Sequence, residues 1–209
     1  RRVLFRSDAK YFHITTNNTI YGSQWQNIPK TSIPLVADMS SDILSREMDF
    51  NSFGLIYAGA QKNIGAAGVN VVVVNKNILG KVKRAIPTIM DYRNHIKEGS
   101  MLNTPPVFAV YVCMLTLRWL KKQGGVTAIE KINNAKADLL YTEIDRNSLF
   151  TGTVVKEDRS KMNVSFVGND EAIEKAFLEY ASKNNIKPKT LLLHGWLPFW
   201  AQASGTPKS

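Results

Sequence analysis

Four short apolar runs, each bounded by Gly, Asn, Pro or Asp, occur early in the chain: residues 11–16 (YFHITT), 34–38 (PLVAD), 54–58 (GLIYA) and 69–74 (VNVVVV). They are rich in β-branched and aromatic residues and too short for helices, so they predict buried strands. A longer apolar stretch follows Asn103-Thr104-Pro105-Pro106 and runs to about Lys122. It predicts a helix in which Thr104 is the cap, the prolines occupy the first turn and Lys121 and Lys122 suit the C-terminus, with Gly124-Gly125 as the stop. A second helix is predicted from Val126 to about Ile144, with Ile129, Ile132, Leu139, Leu140 and Ile144 at roughly helical spacing. Met162–Val167 reads as a strand, and Glu171–Asn184 as an amphipathic helix with Ile173, Phe177 and Tyr180 on one side. Strands interleaved with helices imply an α/β fold on a largely parallel or mixed sheet. The glycine pair suggests a hinge, with a larger domain over 8–124 and a smaller α/β domain over 125–186. No repeat or low-complexity tract interrupts the pattern.

A chain of 209 residues can bury a sizeable core as one large domain or two small ones. The net charge of +10 invites a nucleic-acid reading. The distribution of the charge argues against it. Of the 27 basic side chains, 3 lie in residues 1–7 and 4 in residues 180–209, leaving 20 against 17 acids between them. A basic binding module is therefore the disfavoured, non-enzymatic alternative, and Lys81-Val82-Lys83-Arg84 reads as a solvated face. No run of 18 apolar residues suggests a membrane span, and no signal peptide is visible in Arg1–Arg6. Cys113 has no partner for an internal disulfide and lies in an apolar helix pattern, as a buried inert thiol would. These features predict a cytoplasmic protein with neither membrane nor nucleic-acid partner. His13, His95 and His194 do not cluster with acids at metal-ligand spacing, so no metal site is expected. No Walker or Rossmann glycine motif is present, and Gly65-Ala66-Ala67-Gly68 is too weak to stand for one.

The candidate chemistry lies in Tyr57-Ala-Gly-Ala-Gln61-Lys62-Asn63-Ile64-Gly65, with Asp38 placed 24 residues before Lys62 at the end of an apolar run. A lysine in a Gly/Ala-rich turn and a strand-terminal aspartate are the groups that pyridoxal phosphate needs, the amine for its aldehyde and the carboxylate for its ring nitrogen. Taken singly, each has a blander reading, as a solvated charge and as a turn residue. The longer segments carry more: HITTNNTIYG (13–22), ADMSSDILSR (37–46), YAGAQKNIG (57–65) and GSMLNTPP (99–106) resemble the phosphoserine aminotransferase family, class V aminotransferases among the fold-type I pyridoxal-phosphate enzymes. The resemblance runs in order from about Tyr11 to about Ile186, and departs from the usual family pattern at Ala66, where most members have proline.

The resemblance implies a fold-type I transferase: part of a large mixed-sheet α/β domain followed by a smaller C-terminal α/β domain. It implies that Lys62 forms the Schiff base and moves the proton at Cα, and that Asp38 pairs with the ring nitrogen. It matches Thr19 and Gln61 to cofactor contacts, and Asn103 and Thr104 to a pair that holds the cofactor phosphate in the partner subunit's site, hence a homodimer. The family reaction exchanges an amino group between phosphoserine plus 2-oxoglutarate and 3-phosphohydroxypyruvate plus glutamate, in serine and, in many bacteria, pyridoxine biosynthesis. A cysteine desulfurase of the same fold type is the enzymatic alternative, poorly served by Cys113 in a helix. The resemblance also implies that the family's glycine-rich phosphate loop, ring-stacking aromatic and substrate-binding His-Arg contacts would precede Arg1. Residues 1–7 are expected to be a non-native scar and 187–209, with Trp196, Phe199 and Trp200, a non-native or frameshifted tail; the 209 residues alone are expected to be inactive.

Overall fold

The computed structural model describes residues 8–184. Three short strands come first: β1 (Phe12–Thr15), β2 (Asn17–Asn18) and β3 (Ser23–Gln24). Then follow β4 (Leu35–Asp38), β5 (Leu55–Gly59), a single helical turn α1 (Ala60–Asn63) and β6 (Asn70–Val74). The remainder is helical with one hairpin: α2 (Tyr92–Lys97), α3 (Val107–Lys122), α4 (Gly125–Arg146), β7 (Phe150–Gly152), β8 (Phe166–Gly168) and α5 (Glu171–Lys183). The expected non-native ends, and His194 with them, lie outside the described residues.

The described chain forms two compact units. One takes residues 8–15, 29–40 and 48–119; the other takes 16–28, 41–47 and 120–184. The division is thus not the linear one at Gly124-Gly125, because two early segments join the later unit. In the first unit the sheet order is β1-β4-β5-β6, with β1, β4 and β5 parallel and β6 antiparallel to β5. The mixed sheet follows from the sequence: strands buried on one face alternate apolar residues with others. Ile14, Leu35, Ala37, Ile56 and Ala58 are buried. His13, Thr15, Val36, Asp38, Leu55 and Tyr57, on the opposite face, are half-buried or exposed. No long helix separates these strands in sequence, contrary to the interleaving expected; β2 and β3, one 3-10 segment (Phe50–Ser52) and the α1 turn intervene.

In the second unit α4 packs on the β7/β8 hairpin. Ala137, Tyr141, Ile144, Val164 and Phe166 form the core, with Leu140, Phe150 and Phe177 against it. Phe150, Phe166 and Phe177 meet edge to face at centroid distances of 5.2–6.1 Å, the arrangement that ring quadrupoles favour. A buried polar cluster ties segments 16–28 and 41–47 to the rest. The Asn17 amide donates to Ser41 Oγ at 2.8 Å and to Asn163 Oδ1 at 2.8 Å, and accepts from the Ser160 hydroxyl. The Asp42 carboxylate, fully buried, accepts from Thr16 and from Gln24 at 3.2 Å. Every such bond matters, since a buried polar group left unpaired costs about 1–3 kcal/mol.

Several expectations are corrected. Helix α3 begins at Val107, so Thr104 is not its cap and the prolines precede its first turn; the Pro106 carbonyl accepts from Val110 N–H at 3.1 Å. Proline before the first turn restricts the residue ahead of it to extended backbone, which sets the helix start later than Thr104. The N-terminal turn of α3 exposes Val107, Phe108, Val110 and Tyr111, and only Ala109 and Cys113 of the helix are buried. The buried stripe of α4 is Asn133, Ala137, Tyr141 and Ile144, while Ile132 and Leu139 are exposed. On α5 the inward line is Phe177 and Ala181; Tyr180 lies 63% exposed. Of the predicted strand Met162–Val167, only Phe166 and Val167 are in β8, because the Ser160 hydroxyl takes the N–H groups of Met162 and Asn163 in place of a strand ladder.

Candidate active site

Asp38 is the last residue of β4 and Tyr57 is its register partner on β5. Open α/β sheets bind ligands beyond the carboxyl ends of their strands; Asp38 lies at that end of β4, and Tyr57 beside it is two residues short of the end of β5. The chain leaving β4 turns at once. Asp38 Oδ1 accepts from Ser40 N–H at 2.8 Å, an Asx-type turn, and Met39 N–H donates to the Tyr57 carbonyl at 2.9 Å. The Ser40 hydroxyl in turn accepts from Gly59 N–H at 3.1 Å. A short path of hydrogen bonds therefore connects the Asp38 carboxylate to the residue from which the Lys62 turn starts.

That turn is α1. It leaves β5 at Gly59, and its loop is closed by the Ala60 N–H bond to the Val69 carbonyl at 2.9 Å, just beyond the Gly59–Asn70 register pair of β5 and β6. Lys62 is half-buried in it and Gln61 is exposed. The Gln61 side chain folds back over Gly59: a Cβ there would lie 2.7 Å from Gln61 Oε1. After the turn, Gly65 meets α3 directly, since a Cβ on it would lie 2.7 Å from Cys113 Sγ and 3.0 Å from Cys113 Cα. Gly68 faces Pro106 and Ala109. The buried Cys113 is thus a packing residue beneath the lysine loop.

Two residues beside Asp38 escaped the sequence reading. His13 on β1 and Tyr57 on β5 flank β4, and their side chains meet across it, with His13 Nε2 3.0 Å from the Tyr57 hydroxyl and the rings stacked at 6.0 Å. Burial pushes the Tyr57 phenol above its ordinary value; the adjacent, hydrogen-bonded Asp38 carboxylate adds to this, and Tyr92 contributes last. The signal was present: strand alternation puts His13, Asp38 and Tyr57 on one sheet face, but the register that brings them together is tertiary.

The structure gathers Asp38, Gln61 and Lys62 in the first unit. Asn103 and Thr104 lie in the same unit, exposed in the loop before α3, where the Asn103 amide donates to the Thr104 carbonyl at 3.1 Å. Thr19 belongs to the second unit, half-buried in the β2–β3 turn whose neighbours Ile20 and Tyr21 donate N–H groups to Asn18 Oδ1. Among the described residues, no group of three or more His, Cys, Asp or Glu could hold a metal ion, and no helix is long and apolar enough to cross a membrane. The residues fit pyridoxal phosphate by their chemistry: a primary amine on a pinned turn and a carboxylate at a strand end, linked through Ser40 and Gly59.

A mixed sheet with this lysine turn beside a strand-terminal aspartate defines a fold-type I transferase. The chain belongs to the class-V aminotransferases, whose family model matches residues 2–186. More particularly, it is similar to phosphoserine aminotransferases. It is 64% identical to that of Flavobacterium johnsoniae over 164 residues, covering 78% of this chain and 46% of the relative. It is 51% identical to that of Bacteroides thetaiotaomicron over 182 residues, 86% of this chain and 51% of the relative. Among solved structures, phosphoserine aminotransferase from Bacillus circulans subsp. alkalophilus superimposes with a TM-score of 0.86 at 37% identity, over 94% of this chain and 56% of that one. The pyridoxal-phosphate-bound enzyme from Trichomonas vaginalis gives 0.84 at 35% identity, over 92% and 56%. The chain spans about half the length of the curated relatives it matches.

Proposed function

We propose that this chain carries the lysine and ring-nitrogen half of a pyridoxal-phosphate-dependent phosphoserine aminotransferase, acting in serine biosynthesis and, through a related phosphorylated substrate, in pyridoxine biosynthesis. The observation that carries the reading is the hydrogen-bonded path Asp38–Ser40–Gly59, which fixes the carboxylate relative to the turn that holds Lys62. The similarity to phosphoserine aminotransferases supports the substrate class.

When bound, the cofactor supplies an aldehyde for amine exchange and a cationic ring that takes up electron density from the substrate's Cα. The residues here divide the remaining work. Lys62 would hold the cofactor in the resting enzyme, and its freed amine would take the proton from the substrate's Cα as general base and give it up again as general acid. Asp38 accepts a charge-assisted hydrogen bond from the ring nitrogen and so keeps it protonated. Gln61 and Thr19 orient the cofactor. Asn103 and Thr104, exposed ahead of α3, hold the phosphate of the partner subunit's cofactor in a cytoplasmic homodimer with shared sites. A cysteine desulfurase reading finds no support in Cys113, which is buried beneath the lysine loop.

The test is borohydride reduction of the cofactor-loaded full-length protein, followed by peptide mapping. A pyridoxyl group on Lys62 is expected. Label on another lysine, or on none, refutes the assignment.

A further inference from the structure

The face of the sheet that bears Asp38 also bears a pair the reaction scheme does not use. Tyr57 has one hydroxyl proton and two neighbours for it, His13 Nε2 at 3.0 Å and the Asp38 carboxylate. If the phenol donates to His13, it has nothing to give Asp38. If it donates to Asp38, the contact with His13 must be made by a proton on Nε2, because two acceptors cannot share a bond without one. The second arrangement is the one the surroundings favour. An ionised carboxylate is the stronger acceptor, and a charge-assisted bond is roughly twice as strong as a neutral one. Ser40 N–H donates to Asp38 Oδ1 at 2.8 Å, and the phenol adds a side-chain donor to that backbone one.

We propose that His13 and Tyr57 are positioning residues for Asp38, forming a directional relay in which His13 Nε2–H donates to the Tyr57 oxygen and the Tyr57 hydroxyl donates to the Asp38 carboxylate. No bond is made or broken in it; the relay fixes where the carboxylate points and keeps it an acceptor. Its purpose, that Asp38 be set to receive the cofactor's ring nitrogen, rests on the function proposed above. Among the described residues, the groups facing Tyr57 are Asp38, His13 and Tyr92, and of these His13 Nε2 is the nitrogen within hydrogen-bond distance of the Tyr57 oxygen. The stacking of the His13 and Tyr57 rings, 29° from parallel, holds the two in line above β4.

The first arm of the test needs no cofactor. In the cofactor-free full-length protein labelled with 15N-histidine, His13, assigned by its loss in His13→Gln, is expected to carry its proton on Nε2. Tyr57→Phe is expected to shift that nitrogen's resonance. A bare Nε2 in the wild type, or resonances indifferent to Tyr57→Phe, overturns the relay. The second arm uses the loaded enzyme. Tyr57→Phe is expected to move the visible absorbance band of the bound cofactor and to lower kcat about tenfold with KM little changed, as loss of a bond made to orient a charge would. His13→Gln, which keeps an N–H near the same place, should stay close to wild type, whereas His13→Leu should resemble Tyr57→Phe. If Asp38→Asn alters band and turnover while Tyr57→Phe alters neither, the relay is wrong and the cofactor reading stands. If Asp38→Asn alters nothing, the cofactor reading fails, and the nitrogen resonances still decide the relay.

Discussion

Replacing Gly65 by alanine probes how the lysine turn is seated. The added methyl would lie 2.7 Å from Cys113 Sγ, 3.0 Å from Cys113 Cα and 3.0 Å from its backbone nitrogen. Ordinary carbon contacts begin near ~3.5 Å. The sulfur can swing away by changing rotamer, but the Cα and N belong to the middle of α3 and move only if the helix moves. Overpacking of this kind costs about 1–3 kcal/mol, roughly a 5- to 150-fold change in the folding equilibrium at about 1.4 kcal/mol per tenfold. Lys62 is three residues away on the same turn, so a backbone shift of a few tenths of an ångström reaches the amine. The assay is a four-member cycle in the full-length protein: wild type, Gly65→Ala, Cys113→Ala and the double variant, each measured for urea midpoint and for cofactor retention. Cys113→Ala removes the sulfur and leaves the backbone contacts, so the double variant should recover part of the loss and no more, giving a measurable coupling. A Gly65→Ala protein as stable and as well loaded as wild type would refute the close approach of α3 to the lysine turn. Full recovery in the double variant would show the sulfur alone to be the obstacle.

Asp38→Asn is expected to retain some cofactor but lose most transamination, because an amide does not hold a proton on the ring nitrogen. The barrier rises by several kcal/mol, on the order of a buried charged hydrogen bond, and near-normal turnover would give Asp38 another task. In the second unit Arg159, and after it Lys156, hold the Asp145 carboxylate well below its ordinary value, at 2.7 and 2.9 Å. Its folded-state value is depressed, so its contribution is present above the unfolded value near 3.8 and is lost as the pH falls below it. Asp145→Asn should therefore be less stable than wild type at pH 7 and show a flatter acid limb; an unchanged limb by urea midpoint would rule the cluster out as a source of it. Co-assembly of Lys62→Ala with a doubly substituted Asn103/Thr104 variant should restore activity towards one native site per heterodimer. Mixed samples that stay inactive although heterodimers form would place that pair's action within its own subunit.

The strands were legible because burial on one face leaves a period-two trace: Ile14, Leu35, Ala37, Ile56 and Ala58 all turn inward. The turn that carries Gln61 and Lys62 and the strand end at Asp38 were legible because their chemistry is local, spelled out in YAGAQKNIG and in the Asx turn after PLVAD. Helix faces were less so. On α4 the sequence offers Ile132 and Leu139, yet the structure buries Asn133 and Ala137. The Asn133 amide is wanted inside, where it donates to the Ser45 carbonyl at 2.9 Å, and hydrophobicity alone cannot foresee a polar residue recruited by a distant backbone group. The same holds for segments 16–28 and 41–47, which are held in the second unit by Asn17, Asp42 and Ser160 through side chains up to 146 residues apart.

The relay beside Asp38 was hidden for a related reason. His13 reads as a lone histidine and Tyr57 as a strand aromatic until the parallel register of β1, β4 and β5 is known. That register puts Thr15, Asp38 and Tyr57 in one row and His13 one row behind it. Sequence separation between these strands is carried by connections with no pattern of their own, so no spacing rule links residue 13 to residue 57. The chemistry of the row nevertheless follows from strand alternation. The residues that turn away from the core on these strands include His13, Thr15, Asp38 and Tyr57 beside Val36 and Leu55, and a parallel sheet brings the strand ends to one edge. A carboxylate at that edge, supplied with a backbone donor and a phenol, is an acceptor fixed in place, and the lysine beyond it sits half-buried on a turn closed by the Ala60 N–H bond to the Val69 carbonyl. A fixed carboxylate is what the proposed role of ring-nitrogen partner requires.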